Sequence, residues 1–61
     1  MTVFTAIIYT PDGEERFLNA DGTLTPCEAC ATRFIDAVTA ETAATRVLRD
    51  GWGFAIEETE L

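Results

Sequence analysis

The sequence predicts an α+β fold: a small, mostly antiparallel four-stranded sheet with one helix packed on one face, in the order β-β-β-α-β. Three observations carry this. An amphipathic helical stripe runs directly into an alternating strand over Thr39 to Ile56, a β-branched and aromatic stretch opens the chain, and a proline-aspartate-glycine turn follows that stretch. At 61 residues the chain is a single domain, residues 1–61, near the lower size at which a hydrophobic core offsets conformational entropy.

Thr2 to Thr10 places Phe4, Ala6 and Ile8 on one face and Val3, Thr5, Ile7 and Tyr9 on the other. Both faces are apolar, so this strand belongs in the middle of the sheet or has its second face partly covered. Thr10-Pro11-Asp12-Gly13 then reads as a turn. Proline presets the first central φ, Asp12 tolerates the second, and Gly13 accepts a positive one. The return strand is expected over about Glu14 to Ala20, and Asn19 to Thr23 breaks it.

Residues 26–38 admit two readings. Thr25-Pro26-Cys27-Glu28 fits a capping box, and Cys27, Cys30, Ala31, Phe34, Ile35 and Val38 recur at helical spacing. A helix there would have to pass without a loop into the next one. The favoured reading therefore makes Thr32 to Val38 a strand, with Ile35 and Ala37 inward and Asp36 outward, delivering the chain into a helix capped by Thr39. In that helix Ala40, Ala43, Ala44, Val47 and Leu48 form the buried stripe. Glu41 in the first turn and Arg46 and Arg49 near the end suit the dipole, and Gly51 is the expected C-cap. Beyond it Trp52, Phe54 and Ile56 alternate with Gly53, Ala55 and Glu57, a strand whose bulky side packs on the helix.

Eleven carboxylates against four arginines, with no lysine or histidine, give a formal charge of −7. Such a surface repels phosphate backbones and anionic membranes and attracts a basic protein surface; the plain alternative is that the charge only keeps a small domain soluble. No stretch approaches the roughly 20 apolar residues of a membrane span, and the first residues lack a signal-peptide pattern, so a cytoplasmic protein is expected.

The residue inventory excludes most catalysis. Without histidine or lysine there is no conventional base for a serine or cysteine nucleophile and no Schiff-base amine. Glu14-Glu15 and Glu57-Glu58 alternate across strands and face opposite ways, which unsuits them as acid/base pairs. The expectation is a non-enzyme without cofactor. Cys27-Glu28-Ala29-Cys30 supplies half of a zinc site, which needs carboxylates such as Glu28 or Asp21, or a second copy, to complete it. It also matches the spacing of a redox pair, though Glu28 between the thiols opposes thiolate formation. The plain alternative is two small buried apolar residues or an incidental disulfide.

What remains is surface. Thr5, Ile7, Tyr9, Phe17 and Phe34 are expected partly exposed on the sheet face without the helix, ringed by Asp12, Glu14, Glu15, Asp36 and Glu57, which describes a protein interface; the alternative is that they close a second small core or a homodimer seam. In size, acidity, lack of lysine and compact ββ(β)αβ pattern the chain resembles small phage-encoded inhibitors of the anti-CRISPR type. The resemblance covers the whole chain and rests on no shared motif, so it transfers no residue roles. It implies an acidic DNA-mimicking inhibitor whose partner is a protein with a basic nucleic-acid-binding surface, a CRISPR effector complex among them. The carboxylates expected at that contact are Asp12, Glu14, Glu15 and Asp21 around the hairpin, and Glu57, Glu58 and Glu60 in the tail. The alternatives are a metal- or redox-linked protein using Cys27 and Cys30, and a dimerising structural domain.

Overall fold

A computed structural model describes residues 1–61. Four antiparallel strands form one sheet in the order β3-β2-β1-β4, where β1 is Thr2–Tyr9, β2 Glu15–Leu18, β3 Leu24–Thr25 and β4 Gly53–Glu60. One helix, α1, spans Ala37–Val47. The α+β class and the β-β-β-α-β order are as the sequence implies, and β1, apolar on both faces, is central.

The first turn forms for the reasons its residues give. Gly13 has φ +88°, its N–H donates to the Thr10 carbonyl at 3.0 Å, and the Thr10 N–H donates to the Glu14 carbonyl at 3.0 Å. This is a three-residue hairpin loop closed by a left-handed glycine. The same device recurs where the sequence indicates only a break. Gly22 has φ +89°, its N–H donates to Asn19, and the Asn19 N–H donates to Thr23 at 2.8 Å. A second hairpin therefore returns the chain at once as β3.

The third strand is thus Leu24–Thr25, and the strand expected over Thr32 to Val38 shrinks to a single bridge. Phe34 exchanges two hydrogen bonds with Phe4, at 2.7 and 2.8 Å, along the part of β1 that β2 does not reach. Phe34 is buried on the helix side, whereas Ile35 and Val38 are exposed, the reverse of the expected Ile35-inward strand. The cause is the cap. The Asp36 carboxylate accepts the Thr39 N–H at 2.6 Å, so Asp36 is the N-cap and Ala37 and Val38 are already helical. Thr39 is the capped residue and Glu41 falls beyond the first turn.

The far end also differs. Leu48 turns extended (φ −68°, ψ 143°), ending the helix and laying its side chain against the core. Gly51 (φ +83°) instead sits in a turn closed by the Trp52 N–H on the Arg49 carbonyl at 3.0 Å, and the Arg49 guanidinium lies 5.8 Å from the Trp52 ring centre. A Cβ on Gly51 would stand 3.2 Å from Pro11 Cγ, while one on Gly13 meets nothing. Gly51→Ala therefore costs the left-handed penalty of about 1–2 kcal/mol and a displaced Pro11. Gly13→Ala costs the first alone, and thermal melting of the two variants should show the larger drop for Gly51→Ala.

The core is thin. Ala6, Ile8 and Leu18 from the sheet meet Phe34, Ala40 and Ala44, with Phe4, Val47, Leu48, Trp52, Phe54 and Ile56 closing its margins. The two buried helix positions are alanines, which let the helix axis come close to the sheet. On the opposite face Val3, Thr5 and Ile7 are buried as well. At Thr5 the cover comes from the segment after β3, whose Glu28, Ala29 and Arg33 line a shallow groove with Thr5 and Thr59.

Candidate functional site: an acidic sheet face

The register sorts the carboxylates. Glu57 stands opposite Thr5 and Glu15 opposite Tyr9, so both lie on the face away from the helix, while Glu58 opposite Phe4 and Glu60 opposite Thr2 lie on the helix side. Of the residues expected on the open face, only Tyr9, exposed, and Phe17, half-buried, occupy it as accessible side chains. Thr5 and Ile7 are buried, and Phe34 is on the other side.

Four of the expected contact carboxylates already have partners in the fold. Asp12 accepts the Thr10 hydroxyl, which holds its carboxyl below the ordinary range. Asp21 accepts the Thr23 hydroxyl at 2.6 Å and its N–H at 3.0 Å, with the same consequence. Glu14 pairs with Arg16 at 2.7 Å. Glu60 takes the Thr2 hydroxyl at 2.6 Å and the terminal ammonium at 3.1 Å, and is likewise lowered. Nor do these residues form one patch. The two hairpin loops lie at opposite ends of β2, so Asp12 and Glu14 are separated from Asp21.

Of eleven side-chain carboxylates, only Glu14 and Glu60 make ion pairs, leaving nine unpaired. Among these Glu15, Glu57 and a residue not expected at the site, Glu28, share the sheet face opposite the helix. The segment after β3 crosses that face as a short 3₁₀ turn, Glu28–Cys30, and brings the Glu28 carboxyl against Glu57. Hydrogen bonding and charge repulsion from Glu28, with a smaller contribution from the Glu15 charge, raise the Glu57 carboxyl above its ordinary value. Glu57 and Glu28 are 29 residues apart in sequence, and no local pattern could have paired them.

Cys27 and Cys30 flank Glu28 as exposed free thiols. The groups that shift the Cys27 thiol are Cys30 and the Ala29 backbone, and Glu28 is not among them. No group of three or more histidine, cysteine or acidic side chains converges on a common point, so neither Glu28 nor Asp21 completes a zinc site with the thiols inside one chain. No helix is long and apolar enough to cross a membrane. Comparison with profiles of known protein families, with characterised proteins and with solved structures finds nothing that matches the chain.

Proposed function

We propose that this chain is a non-enzymatic binding protein of the cytoplasm that sets an acidic sheet face against a basic nucleic-acid-binding surface of another protein and excludes the nucleic acid. The carrying observation is the Glu28–Glu57 contact, in which two carboxyls are held together with Glu15 adding to the field. A free protein gains nothing at neutral pH from such a pairing. An arginine or lysine of a partner relieves it, and the gain appears as binding. Tyr9 and the half-buried Phe17 on the same face supply aromatic contact area beside the charges. Glu58 lies on the helix side of β4, outside this face, and Asp12, Glu14, Asp21 and Glu60 act chiefly in their own turns and strand ends. A CRISPR effector, whose nucleic-acid channel is basic, is the target class that the resemblance in size and charge favours.

The test is capture of host proteins by the tagged chain, washed in rising salt and in the presence of competing DNA or RNA. A nucleic-acid-binding protein that is released by salt, displaced by nucleic acid and not captured by a Glu15→Lys, Glu28→Lys, Glu57→Lys variant supports the reading. Capture that survives all three treatments overturns it.

A further inference from the structure

The two cysteines are arranged for chemistry that the acidic face does not use. We propose that Cys27 and Cys30 are a redox-active dithiol, in which Cys27 attacks an external disulfide and Cys30 resolves the product into an internal Cys27–Cys30 bond.

The geometry begins with the turn. Cys27 is the N-cap of the 3₁₀ segment, and the Cys30 N–H donates to the Cys27 carbonyl at 3.1 Å. A turn closed in this way holds its end Cα atoms within about 7 Å. Disulfides require Cα separations of about 4.4–6.8 Å, so bridging asks for little backbone movement. The turn is itself anchored, because the Cys27 N–H donates to the Thr25 hydroxyl at 3.2 Å and the Ala31 N–H to the Glu28 carbonyl at 3.1 Å.

The two thiols are not equivalent. The Cys30 thiol first, then the backbone N–H groups of Cys30 and Ala29, favour the Cys27 thiolate and lower its pKa. The Cys30 thiol, as the donor to Cys27, is held protonated and raised. Both are exposed, so an external disulfide can reach the pair.

The exchange balances without any further reagent. The Cys27 thiolate attacks one sulfur of a small-molecule disulfide, forming a mixed disulfide and expelling one thiolate, which takes up a proton. Cys30 then loses its proton, and its thiolate attacks the Cys27 sulfur, closing the internal bond and releasing the second small thiol. The protein's two thiols are oxidised to one disulfide as the external disulfide is reduced to two thiols.

The test uses the full chain, reduced and then exposed to glutathione disulfide, with samples acid-quenched over time, alkylated and read by intact mass and peptide mapping. The expected end state is a monomer lacking two hydrogens and carrying no glutathione, with the earliest adduct on Cys27. Cys30→Ser should retain one glutathione on Cys27, and Cys27→Ser should react several-fold more slowly, both with unchanged circular dichroism. A wild-type chain that ends with glutathione on both cysteines, links to a second copy, carries its first adduct on Cys30, or is isolated with zinc protecting both thiols would overturn the proposal.

Discussion

Ile8→Ala leaves most of the chain unfolded at room temperature, with no cooperative melting transition in far-ultraviolet circular dichroism. Only nine of the 61 residues are buried, and Ile8 and Leu18 are the largest side chains among them that are fully enclosed. Cutting a buried isoleucine to alanine costs about 2–5 kcal/mol, whereas a domain of this size rarely holds more than about 3–5 kcal/mol in all. The site also relaxes poorly. The helix meets the sheet through Ala40 and Ala44, which have no length with which to fill the space, and Ile8 is fixed at the centre of the sheet between Arg16 and Phe54. Ile8→Val, at a cost of about 0.5–1.5 kcal/mol, should melt cooperatively at a lower temperature. An Ile8→Ala chain that melts close to the wild type would show that this core is not what holds the fold.

Strand β1 and the first hairpin were legible because their information is local. Val3 to Tyr9 alternates without a polar face, and Pro11-Asp12-Gly13 specifies a turn by φ alone. The helix stripe and the first half of β4 are legible for the same reason, since Ala40, Ala44, Phe54 and Ile56 keep their periods, but Glu57 to Glu60, a charged tail by composition, continue the strand because they pair with Thr5 to Thr2 of β1. Residues 19–38 were harder, because several local rules compete there. Asp21-Gly22 repeats the turn chemistry of Asp12-Gly13, a local signal for a second hairpin as well as for a break. Asp36 and Thr39 are both good caps. The aspartate prevails because Ala37 and Val38 accept helical geometry and Phe34 is drawn back to β1, so the helix starts earlier than the apolar stripe alone indicates. Gly51 has the position of a cap, yet Leu48 ends the helix by turning into the core, and the glycine serves the next turn. The acidic site was legible as charge and illegible as geometry. Composition gives the excess of carboxylates, but which of them are engaged by Thr2, Thr10, Thr23 or Arg16, and which are forced together, depends on strand register.

Glu28→Gln with Glu57→Gln should strengthen the fold at neutral pH and weaken partner capture, two effects of opposite sign from one pair of substitutions. The folded-state pKa of Glu57 is raised by Glu28, so its favourable contribution is fully present below the unfolded-state value and is lost as the pH rises through the raised one. At neutral pH the wild type bears the repulsion, and the neutral amides remove it. The melting temperature of the variant should therefore exceed that of the wild type at neutral pH, and the difference should shrink as the pH falls into the carboxylate range. Asp12, Asp21, Asp36 and Glu60 pull the other way, since their lowered values give stability above the ordinary carboxylate pKa that disappears on acidification. Both proteins should thus lose stability in acid, the variant from a higher start. Binding should move oppositely: charge complementarity commonly raises association rates on the order of 10–10³-fold, and removing two of the clustered charges should cost capture on the order of tenfold or more at low salt. A chain that keeps Glu28 against Glu57 only for solubility would gain the stability and lose no affinity, so measuring both quantities on the same variant separates an acidic surface that serves recognition from one that merely keeps the protein dispersed.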